Sequence, residues 1–244
     1  MLEDRDAQFE LLICKLSRLQ DLDAQDIEAL RKLPLEIENV GRLRQLIRER
    51  DEPTRCCILL KGFAARHKVV ASGARQIVSF HIPGDILDIQ HLLLGKADHS
   101  VETITSARIG WIPKADLLEV AWQKPNIGKA LWRDCLIDAS IFREWVLNVG
   151  RRDAKSRIAH MLCEFVLRCE AAGLGDRHNF ELPMTQTQIG DATGMTPVHV
   201  NRMLKVLDTQ GAVARDRNRF EVVNWDQLCR IADFDPVYLH SAAA

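Results

Sequence analysis

The stretch from Thr185 to Leu207, TQTQIGDATGMTPVHVNRMLKVL, constrains the fold more than any other. Thr185 and Gln188 stand at capping-box spacing, a hydroxyl and a side-chain amide that satisfy the orphan donors of a helix start. A short helix is therefore expected from about Gln186 to Thr193. Gly194 supplies the left-handed residue that ends it. Thr196-Pro197 then starts a second helix, with a hydroxyl N-cap and a proline at the first helical position, where no donor is lost. Gly190 permits a close crossing of the two helices, and Ile189, Met195, Val200, Met203, Leu204 and Leu207 form the apolar face between them. Val198, His199, Asn201, Arg202 and Lys205 are left pointing outward. An αα-hairpin inside a helical core would explain the apolar face alone. Capping box, glycine pair, proline start and polar face together read as a helix-turn-helix whose second helix offers base-reading groups.

Downstream, Gly211, the run Ala212 to Ala214, the polar turn Arg215 to Arg219 and the run Phe220 to Val223 predict a β-hairpin wing. From Arg202 to Arg219 there are five Lys/Arg against two Asp, although the whole chain carries a net charge of −1. Phosphate neutralisation is the natural use of such a basic piece. The Arg202 guanidinium matches the O6/N7 edge of guanine, whereas Val198 offers only apolar contact, for example with a thymine methyl. Asn201 can reach adenine or a phosphate, and His199 flanks the same stripe. Lys205, Arg215, Arg217 and Arg219 fit phosphates. Thr185, Gln186 and Thr196, at the two helix starts, complete the candidate DNA-contact set.

The remaining chain divides by periodicity. With 244 residues and 47% apolar content it is long enough for two domains with cores of their own. Met1 to Ala7 is charged rather than basic-then-apolar, and no run of about 18 apolar residues occurs, so the sequence predicts a soluble, cytoplasmic protein without a membrane partner. Residues 7 to 33 have helical spacing, with Asp23 as an N-cap and Pro34 as a stop. From Leu35 to about Pro113, short apolar runs alternate with turns. These runs are Cys57-Leu60, Val69-Ala71, Ile77-Ile82, Val101-Ile104 and Ile109-Ile112, and they predict a small antiparallel roll. The helical period returns from about Asp116 to Ala172, punctuated by Pro125 and Gly150. Its long helix, about Asn126 to Gly150, carries Ile127, Leu131, Cys135, Phe142, Trp145 and Val149 at intervals of three and four. That is more apolar surface than its own domains plainly cover, so Ile127, Leu131, Phe142 and Trp145 are assigned to pairing with the same helix of a second chain.

Catalytic signatures are missing: no Gly-x-Ser-x-Gly, P-loop, His-Glu-x-x-His or dinucleotide fingerprint occurs, so the chain reads as a non-enzyme. The seven cysteines are scattered with no Cys-x-x-Cys, which argues against a disulfide framework or structural zinc. Cys56 and Cys57 should point to opposite sides of a strand, one into the core and one to the surface.

Beyond this order of elements, several motifs resemble the Crp/Fnr family of bacterial transcription regulators. They are Gly73-Ala74-Arg75-Gln76-Ile77, Pro83-Gly84-Asp85, Arg151-Arg152-Asp153-Ala154, Arg157-Ile158-Ala159-His160, Leu182-Pro183-Met184-Thr185-Gln186 and Thr196-Pro197-Val198-His199-Val200-Asn201-Arg202. The closing Phe234 to His240 is similar to the tail of one subgroup. The resemblance implies an α+β fold: a cyclic-nucleotide-binding-like β-roll (jelly-roll) with N-terminal helices over 1–124, a dimerisation helix over 125–150, and a winged helix-turn-helix over 151–244. It further implies a homodimer that binds a pseudo-palindromic site on double-stranded DNA and works with RNA polymerase. Where cyclic-AMP-binding members carry an Arg-Ser or Arg-Thr pair for the phosphate, this chain reads Ala97-Asp98-His99-Ser100, with no Arg between Arg75 and Arg108. Cyclic AMP is therefore not the expected effector. The thiolates of an iron-sulfur branch are not found near the N-terminus, where only Cys14 stands. A haem- or metal-dependent sensor of the same architecture stays open on His67, His81, His91 and His99, as does a ligand-binding module without DNA binding.

Overall fold

Short apolar runs bounded by turns between residues 35 and 113 form strands, and three-to-four periodicity before and after them forms helices. The computed structural model describes residues 2–175, 180–216 and 219–240. Two N-terminal helices, α1 (Leu2–Leu19) and α2 (Ala24–Lys32), precede seven strands: β1 (Glu36–Val40), β2 (Gln45–Ile47), β3 (Arg55–Lys61), β4 (Ala64–Val69), β5 (Arg75–His81), β6 (Ser100–Thr103) and β7 (Ala107–Pro113). Asp23 caps α2 by accepting from the amides of Gln25 and Asp26. A short 3-10 turn, Ile89–Leu92, lies between β5 and β6. Helices α3 (Lys114–Gln123), α4 (Pro125–Arg151) and α5 (Ala154–Ala171) follow. The strands form two antiparallel sheets ordered β1-β7-β3 and β2-β6-β4-β5. Two compact units result, one of residues 1–68 and 80–139, the other of 69–79 and 140–244, so the boundary falls inside α4.

In the first unit, two apolar cores lie on either side of the β1-β7-β3 sheet. One joins Phe9, Leu12, Leu16 and Leu30 to Cys56, Ile58, Ile112 and Leu117, and the other fills the roll with Cys57, Leu59, Leu87, Val101, Ile109 and Trp111. Cys56 and Cys57 do alternate across β3, but both are buried because both faces of the sheet are covered, which corrects the expectation of one surface thiol. Burial drives both thiols well above the ordinary cysteine range. Strand β4 runs over Ala64–Val69 rather than Val69-Ala71. Its buried Arg66 and His67 give no apolar run, and exposed Val70 lies in the turn.

Helix α4 requires a second correction. Ile127 (0% exposed) and Leu131 lie in the core shared with α1 and α3, and Trp145 is buried in the other unit, so these three do not form an outward face. Phe142 does stay exposed, together with Trp132, Leu136 and Val146.

The second unit gathers α5, the helix-turn-helix pair α6 (Gln186–Thr193) and α7 (Pro197–Thr209), a small sheet ordered β8 (Phe180–Glu181), β10 (Arg219–Val222), β9 (Val213–Asp216), and α8 (Trp225–Ala232). The wing strands are shifted by one or two residues from the apolar runs, because Val213 pairs with Val222 and both point inward. Arg217 lies outside the described residues. Buried Glu164 of α5 binds this unit together: Trp145 Nε1 donates to both its oxygens at 3.1 and 3.0 Å, and Tyr238 Oη donates at 2.9 Å.

Candidate nucleic-acid interface

Local sequence sets the geometry of the helix pair. Thr185 Oγ1 accepts from Gln188 N at 3.2 Å while Gln188 Oε1 accepts from Thr185 N at 2.9 Å, a closed capping box at the start of α6. Gly194 takes φ 69° and ψ 37°, the left-handed conformation that ends α6, and Met195 N donates back to Gly190 O at 3.0 Å. A Cβ on Gly190 would stand 2.4 Å from the carbonyl oxygen of Met195, so only glycine allows the turn to fold this tightly over α6. Thr196 Oγ1 accepts from His199 N at 3.3 Å and caps α7, with Pro197 at its first position. Arg157 of α5 braces the turn by donating to Thr193 O at 3.1 Å, and Asp191 of α6 is held by the Arg75 fork at 2.8 Å.

With Val200, Leu204 and Leu207 buried, the opposite face of α7 is fixed. Val198 is 82% exposed, and Arg202 and Lys205 follow it at intervals of four and three, one outward stripe. Thr185 and Thr196 are also exposed, whereas Gln186, His199 and Asn201 are half-buried beside the stripe. Val198, His199, Asn201, Arg202 and Lys205 thus share α7 with Thr196 at its cap, while Thr185 and Gln186 stand at the start of α6. A helix of this kind, apolar inside and carrying a free guanidinium and ammonium outside, can lie in a major groove with its N-terminal turns toward base edges.

The first unit holds a second group of charged and imidazole side chains. Lys15 Nζ bridges Asp85 (2.9 Å) and Asp134 (2.8 Å), so Asp85 is engaged within the protein. Arg66 pairs with Asp138 at 2.6 Å and donates to Leu87 O at 3.1 Å. His91 and His99 stack with ring centroids 5.3 Å apart, an arrangement no spacing rule in the sequence signalled. His99 Nδ1 lies 2.6 Å from Asp98 Oδ1, and its Nε2 lies 3.1 Å from the Gln90 amide. Buried Asp88 accepts from Cys57 N at 3.0 Å. Burial raises the Asp88 carboxyl to about 6 and lowers His99 to about 4, with His91 lowered for the same reason. A cyclic phosphate does not fit the 97–100 segment: Asp98 presents a carboxylate there, and Lys68, the nearby cation, is taken up by Glu49 at 3.1 Å and by the Asp98 carbonyl.

Comparison with known proteins agrees with this architecture. Residues 41–123 match the family described as a cyclic nucleotide-binding domain, and residues 156–231 match the Crp-like helix-turn-helix domain. The nitrogen fixation regulation protein FixK of Bradyrhizobium diazoefficiens is 28% identical over 73% of this chain and 77% of its own. The anaerobic regulatory protein of Aggregatibacter actinomycetemcomitans is 25% identical over 86% and 85%. The structure of FixK2 from Bradyrhizobium japonicum superposes with a TM-score of 0.74 at 24% identity, covering 82% of this chain and 98% of that one. Roll, long helix and winged helix-turn-helix occur in the same order and over nearly the whole length, and the chain belongs to the Crp/Fnr family of DNA-binding transcription regulators.

Proposed function

We propose that the chain acts as a homodimer that reads an inverted-repeat DNA site through Val198 and Arg202, with Lys205 on the phosphates, under a signal other than cyclic AMP. Regulators of this family bind DNA and act as dimers. The observation that carries the reading is the outward stripe on α7, held at a fixed angle by the Gly190–Met195 crossing. Arg202 is assigned to a guanine, Val198 to an apolar contact, Asn201 and His199 to the flanks, and Lys205 with Thr185, Gln186 and Thr196 to the backbone. Wing residue Arg217 is assigned to phosphate from sequence alone.

Pairing is assigned to the exposed face of α4. Trp132, Leu136, Ala139, Phe142 and Val146 recur at three- and four-residue intervals and are exposed in the single protomer. Burying such a stripe against its symmetry mate removes it from water and sets the two recognition helices about one helical turn, roughly 34 Å, apart. RNA polymerase is assigned as a further partner on family membership alone. The alternative of a haem sensor is not favoured: His91 and His99 are stacked on each other and cannot clamp a porphyrin from opposite faces.

Selection of sites from random DNA tests the assignment. Inverted repeats centred about 10 base pairs apart are expected, each half carrying one strongly preferred G. Arg202→Ala should cost about 1–3 kcal/mol and relax that preference. Asymmetric sites, or unchanged preferences in Arg202→Ala, overturn the reading of α7.

A further inference from the structure

We propose that His91, His99 and Asp98, with Asp88 beside them, form a binding site for a divalent first-row transition metal of the zinc type. Each of the first three offers a ligand atom, and these atoms all lie within 4.8 Å of one another, the only such trio among the described residues. His91 is 1% exposed, and neither of its ring nitrogens has a hydrogen-bond partner. A buried imidazole without a partner is costly and calls for an explanation. Asp88 Oδ2 is equally buried and equally unpartnered, and it faces His91 Nδ1 at 4.0 Å. That gap is too long for a hydrogen bond. Two donors bound at about 2.0–2.1 Å in a tetrahedral site stand roughly 3.3–3.4 Å apart, so a small rotation of the His91 ring brings both onto one ion.

The surroundings prepare the site in the same sense. The Gln90 amide donates to His99 Nε2, which leaves the His99 proton on Nδ1 facing Asp98 Oδ1 at 2.6 Å. An ion would replace that proton between His99 Nδ1 and Asp98 Oδ1, and the Gln90 amide would turn its carbonyl to a proton on Nε2, the outer hydrogen bond that orients a ligand histidine. The Asp98 side chain is 76% exposed and can swing in to complete the set. Arg66, the cation facing the cluster from β4, is already engaged by Asp138 and by the Leu87 carbonyl. Two imidazoles with one or two carboxylates suit zinc, iron(II), cobalt(II) or nickel(II); magnesium and calcium would demand oxygen ligands throughout. Through Asp88 and the Cys57 amide the ion would be tied to the middle of β3, joining the 3-10 turn to the roll.

The full-length protein, stripped with a chelator and free of DNA, decides the matter by titration with Co2+ alone, followed by its visible d–d absorption, and then with competing Zn2+. Saturation at a single ion per chain is expected at micromolar metal, and Zn2+ should displace the Co2+ spectrum and raise the melting temperature. Asp98→Asn, at an exposed side chain, should fold normally and bind at least tenfold more weakly; His91→Gln should abolish binding, and His240→Gln, remote in sequence and exposed, should leave it unchanged. Absence of saturable Co2+ binding overturns the site, as does binding that Asp98→Asn leaves intact. Should His91→Gln fail to fold, the Asp98→Asn and His240→Gln pair still discriminates. Because no DNA is present, the outcome is independent of the assignment of the recognition helix.

Discussion

Replacing Gly190 with alanine isolates the contact on which the helix-turn-helix angle depends. The added methyl would lie 2.4 Å from the Met195 carbonyl oxygen, about an ångström inside ordinary contact. The obstacle is backbone and cannot rotate away. Nor can the turn slide, because the Gly190 carbonyl accepts from both the Gly194 and the Met195 amides. Overpacking of this kind costs about 1–3 kcal/mol, and the better helix propensity of alanine returns about 0.5–1 kcal/mol of it. A net loss of about 1–2 kcal/mol follows, or roughly 4–8 °C in the melting temperature of the C-terminal unit. Gly150→Ala provides the opposite sign: its Cβ would meet nothing within 4 Å in the protomer, and the helix should gain about 0.5 kcal/mol. Differential scanning calorimetry reads both changes, and a mobility shift reads the accompanying loss of affinity, expected to exceed tenfold for Gly190→Ala only. If Gly190→Ala melts no lower than the parent and binds DNA equally well, the tight crossing does not set the recognition angle.

Other predictions concern different parts of the chain. His160 is fully buried against Phe234 and Tyr238, and burial together with the Arg152 guanidinium lowers it to about 3. Glu144 lies 3.3 Å from its Nε2 but is engaged by Arg152 at 2.7 Å, so the ring stays neutral. A base depressed in the folded state supports stability above its unfolded value of about 6.5 and loses that support as the pH falls toward 3. Between pH 7 and 5 the parent should lose about 2 kcal/mol more than His160→Phe in urea unfolding, and parallel curves refute this. Leu136→Glu on the exposed stripe of α4 should give monomers at micromolar concentration by sedimentation, while Lys129→Glu on the same helix should leave the dimer intact. Lys205→Ala should weaken all DNA sequences alike and reduce the slope of log affinity against log salt by about 0.9, whereas a sequence-selective loss would move Lys205 into the base-reading set.

Local signals carried the C-terminal half of the fold. The capping box, the glycine at the turn and the proline start specify backbone conformations by themselves, and α6 spans Gln186–Thr193 as those residues require. The roll is legible where its strands carry apolar residues, as in β3, β5, β6 and β7, whereas β4 hides a buried His67 and a buried Arg66 whose partner Asp138 lies far away in sequence. The pairing face was misplaced for a related reason. Apolar periodicity marks that a helix buries two stripes but not which one its own chain covers, and Ile127 and Leu131 went to the α1 and α3 contact. His91 and His99 stand among four candidate histidines in the sequence, but their pairing is not legible there, because they are eight residues apart and meet only through the 3-10 turn and the loop that follows it.

The carboxylate of Glu164 also sets a rule of inheritance. Its two oxygens are satisfied by an indole on α4, a phenol near the chain's end, and Arg168 at 3.6 Å. An unpaired carboxylate at this depth would be far more harmful than a neutral side chain, so no single step away from the trio is neutral. Relatives that carry phenylalanine in place of Tyr238, or lack the indole of Trp145, should have given up the acid as well. Across an alignment, positions 145, 164 and 238 should change together or hardly change, leaving a correlated signature that belongs to the architecture of the domain and says nothing about which promoters it reads.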